Sequence, residues 1–245
     1  MIKNSYRLFK DSNFWKDQWE EKVEGYLKGK PVLGALIENL VENNTLSGVR
    51  TICEIAAGSA RDSIYLGKRF IVTATDKYIS QFSISEKFAE RYKSNITFQE
   101  EDAYNFTFAD NHFDLVFHNG FFILFPDNQD IVRLITEQMR ITKKYAMIVV
   151  HNKWDFYSRL WVRHLANKGD LLYDFRWWSL RELKRLIKPY GKIISAGGLE
   201  NRIIRSIQTY KFTPSFIKRM KLWELGVWKK LFPCERIYLV VRKTY

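Results

Sequence analysis

The sequence predicts a single α/β domain built around a seven-stranded, mostly parallel, doubly wound sheet. Three observations predict it. From about residue 48 onward, short runs rich in β-branched and aromatic residues alternate with helix-length amphipathic stretches, which is how strand–helix–strand units read. Seven such β-rich runs can be placed. The 245 residues, 46% of them hydrophobic and 27% charged, are also enough to bury one large core without calling for a second full domain.

Taken in order, residues 12–46 read as one or two helices, because Phe14, Trp15, Trp19, Val23 and Tyr26 fall near helical spacing. Residues 1–47 are therefore expected to form a helical cap on the same domain as residues 48–245. Strands are expected near 50–55 (RTICEI), 70–75 (FIVTAT), 96–99 (ITFQ), 113–118 (FDLVFH), 145–150 (YAMIVV), 191–196 (GKIISA) and 236–242 (RIYLVVR). Between them, helices are expected near 60–68, 79–92, 127–141 and 179–188. The last opens on Ser179 with Glu182 three residues later, a capping-box pattern. Two stretches, 152–178 and 199–235, exceed ordinary connections of about 4–6 residues and read as insertions, either lids or substrate elements. The second is a C-terminal insertion before the last strand.

Composition narrows the classes of function. No run approaches the roughly 18 uncharged apolar residues that a membrane span needs. The first 22 residues carry charges throughout with no apolar core of a secretory signal, so a cytoplasmic protein is expected. Cys53 and Cys234 are too few for a disulfide framework and lack zinc-ligand spacing, so no metal is expected. The net charge is +13, and between Arg202 and Tyr245 many lysines and arginines face only two acids, Glu224 and Glu235. Such an excess attracts polyanions. Residues 216–232 mix those cations with Trp and Phe, as an interfacial helix or a packed lid would.

The chemistry is concentrated where strands meet helices. Thr51 to Ser63 (TICEIAAGSARDS) runs from a strand through small residues into a helix, which lets a ligand lie against the backbone at the carboxyl end of a central strand. Asp76 ends the second strand, where an acid can accept hydrogen bonds from both hydroxyls of a ribose. Glu101-Asp102-Ala103 follows the third strand, and a carboxylate there can accept from an adenine amine. Phe113-Asp114-Leu115-Val116 leads into His118-Asn119-Gly120-Phe121-Phe122, a polar and aromatic cluster after the fourth strand. Together these positions make a nucleoside pocket.

All four motifs, in this order over residues 48–150, resemble the class I S-adenosylmethionine (SAM)-dependent methyltransferases, whose sheet is Rossmann-like. The resemblance implies SAM as cofactor, with Glu54, Ala56 and Gly58 bordering its methionine part, Asp76 on the ribose, Asp102 and Ala103 at the adenine, and Asn119 also on the cofactor. Two of the family's three loop glycines are replaced by Ala56 and Ala60 here. An alanine methyl fits such a turn if φ stays negative. A nicotinamide enzyme is the chief α/β alternative, but its fingerprint needs three glycines where this loop has one.

For the acceptor, an oxygen or nitrogen nucleophile calls for alignment and sometimes a base. Candidates at the ends of strands four and five are His118, Asn119, His151, Asn152 and Asp155, with His151 the first choice for the base. Phe121, Phe122, Trp154 and Tyr157 are expected to wall the acceptor. The sequence after strand four lacks the Asn/Asp-Pro-Pro-aromatic motif of amino-methylating nucleic-acid enzymes. Its one Pro-Cys, Pro233-Cys234, is far from where cytosine-C5 enzymes place theirs. A small-molecule or glycan acceptor is therefore expected, methylated on oxygen or nitrogen; the alternative is an RNA- or membrane-surface-directed SAM-binding protein that uses the basic C-terminal segment.

Overall fold

A computed structural model describes residues 11–167, 175–199 and 233–244. The order along the chain is α1 (Ser12–Leu27), α2 (Val32–Glu42), β1 (Thr51–Ile55), α3 (Arg61–Leu66), β2 (Ile71–Asp76), α4 (Phe82–Arg91), β3 (Ile96–Glu100), β4 (Phe113–Asn119), α5 (Asn128–Ile141), β5 (Thr142–His151), α6 (Phe156–Asn167), α7 (Leu180–Ile187), β6 (Gly191–Leu199) and β7 (Arg236–Lys243). A short 3-10 turn, Phe121–Leu124, follows β4.

The seven strands form one sheet in the order β3-β2-β1-β4-β5-β7-β6. The first five are parallel, while β7 lies between β5 and β6 and runs antiparallel to both. Alternation along the strands explains why both faces are covered. Cys53, Ile55, Val116, Ile148 and Val150 point to one face, packed on Ile131, Leu134 and Ile135 of α5 and Leu183 of α7. Ile52, Leu115, Phe117, Met147 and Val149 point to the other, packed on Leu33, Ile37 and Leu40 of α2 and Leu66 of α3. Strands buried on both faces read as continuous apolar runs, as these do.

Local chemistry sets the boundaries. Asp11 caps α1 by accepting from the N–H groups of Asn13 and Phe14, each at 3.1 Å. Asp127 caps α5 through Gln129 N–H at 2.7 Å. Ser179 Oγ accepts from Glu182 N–H at 3.2 Å, but only this half of the expected capping box is drawn, because the Glu182 carboxylate is taken by Arg176 at 2.5 Å. β5 begins three residues earlier than expected, since α5 passes directly into it, with Thr142 Oγ1 donating to Gln138 O at 2.7 Å. Asp114, from the fourth-strand motif, sits at the amino end of β4. It pins β1 by accepting from the N–H groups of Arg50 and Thr51 at 2.9 and 3.2 Å, so its part is structural.

Of the two expected insertions, 152–178 contains α6, and residues 168–174 lie outside the described residues; in the second, so do residues 200–232, which hold most of the basic segment. Among the described residues no helix is long and apolar enough to cross a membrane.

Candidate active site

The strand order places β1 beside β4, and the chain leaves these two strands toward opposite sides of the sheet. A crevice therefore opens at their carboxyl ends, the general position for a ligand in a sheet of this kind. The loop after β1 lines it. That loop holds three residues in the left-handed region, Ala56 (φ 51°), Gly58 (φ 53°) and Ala60 (φ 53°). The condition under which an alanine fits this turn without strain, a negative φ, is thus not met; each carries a cost of about 1 kcal/mol that a glycine avoids. Gly58 is required twice over. Besides its φ, a Cβ there would stand 2.3 and 2.5 Å from two ring atoms of Trp19, which reaches the loop from α1.

Three carboxylates surround the loop. Asp76 Oδ2 accepts from Gly58 N–H at 2.9 Å and Oδ1 from Tyr78 N–H at 3.2 Å, which fixes the carboxylate plane while leaving lone pairs on both oxygens. Burial pushes its pKa up to about 6 against the pull of those two donors. Glu54 is buried at the end of β1 and accepts from Ser63 Oγ at 2.5 Å. Burial, and then the neighbouring charge of Asp62, push Glu54 up to about 8. Asp62, also buried, accepts from Gly34 N–H at 2.8 Å and from Asn119 Nδ2 at 3.3 Å, and Arg61 stands 3.5 Å away.

Asn119 links two strands. Its Oδ1 accepts from Arg236 Nη1 of β7 at 2.5 Å while its amide donates to Asp62. After β3, Asp102 is engaged by Lys77 at 2.9 Å and by Tyr104 N–H at 3.0 Å. Although burial pulls the other way, these two donors hold its carboxyl below the usual range. The Lys77 contact had no signal in the sequence. Ala103 packs against the core beside it.

The carboxyl ends of β4 and β5 are lined with rings. His151, at the end of β5, is partly buried, with Phe175 at 4.6 Å and Trp177 at 5.6 Å between ring centres. His118 is fully buried 4.0 Å from Phe122, and neither of its ring nitrogens has a hydrogen-bond partner. Burial lowers its pKa to about 3, so it is neutral at physiological pH. The four aromatics expected to wall the acceptor do not form one surface: Phe121 and Phe122 are core residues, whereas Trp154 and Tyr157 are exposed on the outside. Asn152 and Asp155 have structural partners. Asn152 Nδ2 donates to Cys234 O at 2.9 Å, and Asp155 accepts from Ser158 N–H at 3.1 Å.

Residues 52–145 match a family model described as the methyltransferase domain. That segment is a methyltransferase domain. No curated protein matches the chain in sequence. Among solved structures, it is similar to magnesium protoporphyrin IX methyltransferase of Synechocystis PCC 6803 with bound S-adenosylhomocysteine (SAH), at 13% identity over 86% of this chain and 80% of that one, TM-score 0.59. It is also similar to the YcgJ protein of Bacillus subtilis, at 17% identity over 85% and 99%, TM-score 0.56. A third is the methyltransferase partner in a complex with the Haloferax volcanii activator Trm112, at 12% identity over 94% and 98%, TM-score 0.61. At these identities the likeness is one of fold.

The residues of the methyltransferase domain fit SAM. Glu54 and Asp62 are buried close enough for their charges to interact, with the Arg61 guanidinium 3.5 Å from Asp62, so a further positive charge beside them would favour the ionised form of Glu54. Asp76 offers both oxygens where a pair of vicinal hydroxyls would need acceptors. Sequence reasoning missed Asp62, Arg236 and Trp19 as parts of this site. Asp62 was legible as an acid in the first turn of the helix after the loop; Arg236 and Trp19 reach it only through tertiary packing.

Proposed function

We propose that this methyltransferase transfers a methyl group to an oxygen or nitrogen of a small-molecule or glycan acceptor bound at the carboxyl ends of β4 and β5 and the amino end of β7. SAM supplies an electrophilic methyl carbon on a sulfonium. The protein's task is then to hold the cofactor, align the nucleophile with that carbon and, for a hydroxyl acceptor, take its proton.

The observation that carries this reading is the group His151, Phe175 and Trp177 at the end of β5, beside Arg236 and Asn119. Rings packed on an imidazole at 4.6 and 5.6 Å offer an apolar edge against which a flat organic molecule or the apolar face of a sugar could lie, and the imidazole is the proton acceptor in this proposal. Asp76, Glu54, Gly58 and Asn119 hold the cofactor in the proposal, with Asp102 and Ala103 beyond the ribose. Arg236 keeps Asn119 oriented toward Asp62 by occupying its carbonyl oxygen.

Mass spectrometry of small molecules that copurify with the protein, followed by turnover assays on the candidates, tests the acceptor class. With an acceptor in hand, His151→Gln should leave SAH affinity within about twofold while slowing turnover by about 10²–10⁴-fold. Unchanged turnover removes His151 as base, and turnover on RNA alone removes the small-molecule reading.

A further inference from the structure

The outer face of α6 is the most apolar exposed surface among the described residues. Trp154 is 57% exposed, Phe156 57%, Tyr157 50% and Leu160 68%, so four large apolar side chains face solvent within seven residues. The helix geometry makes this face deliberate. At 3.6 residues per turn, Ser158 and Val162 lie on one side of α6 and both are buried, while Phe156, Leu160 and Arg163 lie together on the opposite side and are exposed.

The charges around this face have one sign. Lys153, Arg159 and Arg163 are exposed along it. The only acid between Lys153 and Asn167 is Asp155, which is buried and spent on the N–H of Ser158. An apolar ridge edged by cations with no exposed acid fits the interface of an anionic bilayer, where ring and aliphatic side chains enter the headgroup layer and each cation gains from the surface potential. A second copy of this chain is a poor match, since each carries a net charge of +13. Single-stranded RNA is a weaker match too, because the most exposed side chain, Leu160, has no ring face to stack on a base and α6 is a convex ridge.

We infer that α6, with Lys153 and Trp154 before it, is a docking surface for an anionic membrane. It begins five residues after the end of β5, so docking sets the acceptor side of the domain close to the bilayer.

Cosedimentation of the full chain with phosphatidylcholine vesicles, with and without phosphatidylglycerol, tests this. The wild type should partition onto the phosphatidylglycerol vesicles and be released as salt rises from low to physiological and above. Phe156→Ala with Leu160→Ala should lower that partition by about tenfold or more, and Arg159→Gln with Arg163→Gln should remove most of its dependence on phosphatidylglycerol. All four side chains are exposed, and a melting curve checks that each variant is folded. SAH titration of the same variants reports separately on the cofactor site, which neither pair touches. No sedimentation of the wild type with either vesicle, equal partition of the Phe156/Leu160 variant, or loss of a dimer or of RNA binding in its place would each overturn the inference.

Discussion

Around the ends of β1 and β2, Asp76, Glu54 and Asp62 accept hydrogen bonds of 2.5 to 3.3 Å from backbone, hydroxyl and amide donors. Around the ends of β4 and β5, His151 is bounded by Phe175 and Trp177, and buried His118 pairs neither ring nitrogen. The first region fixes carboxylates in place before any ligand arrives, which suits a ligand with invariant polar groups. The second is shaped by rings, which suits a ligand recognised by outline and apolar contact. In the proposed function, recognition of the cofactor and of the acceptor would therefore rest on different physics.

The largest effect expected in the first region comes from Gly58→Ala. Its Cβ would meet Trp19 at 2.3 and 2.5 Å with φ at 53°, so we expect a loss of about 2–3 kcal/mol in stability and a large loss of SAH affinity. Adding Trp19→Ala should restore part of the stability, and a double-mutant cycle by thermal denaturation measures that part. Additive losses would show that the indole does not rest on the loop.

Asp76→Ala should weaken SAH about 10- to 100-fold, the scale of hydrogen bonds to an ionised acceptor. Because burial raises this acid to about 6, wild-type affinity should fall as pH drops below that value, and the variant should show no such step in calorimetric titrations.

Glu54→Gln tests the buried pair through stability. The native pKa near 8 lies above the unfolded value, so the native state favours the protonated acid; that stability is full below the unfolded pKa and lost as pH rises through 8. The variant should match the wild type at pH 4 and melt about 4 °C or more above it at pH 9. Equal melting at both values would mean the carboxylate is compensated when ionised.

The smallest effects are those of Ala56→Gly and Ala60→Gly, each expected to add about 0.5–1 kcal/mol by relieving positive φ, less what glycine costs in the unfolded chain. Urea unfolding resolves a change of this size.

The same contrast explains what was legible in the sequence. Strand positions and the acids Glu54 and Asp76 could be read because each follows a local rule: period-two burial, or an acid at a strand end. The expected mostly parallel sheet is found, with β7 its antiparallel member. The positive φ of Ala56 and Ala60 could not be read, since alanine gives no sign of the conformation it is forced into. Of the residues expected to wall the acceptor, Phe121, Phe122, Trp154 and Tyr157 look alike as aromatic residues, and only packing divides them into core and surface. Phe175 and Trp177 were visible as part of an aromatic stretch, but their approach to His151 depends on the parallel bridge between Asn152 and Trp178, which no local pattern encodes.

The most direct test of the cofactor site is titration of the purified full chain with SAH, by calorimetry and by melting temperature together. We expect one site per chain, micromolar-range affinity and a rise in melting temperature that grows with the logarithm of ligand concentration. Folded protein that releases no heat and shows no shift at millimolar SAH would contradict the assignment of Glu54, Gly58 and Asp76 to a SAM site.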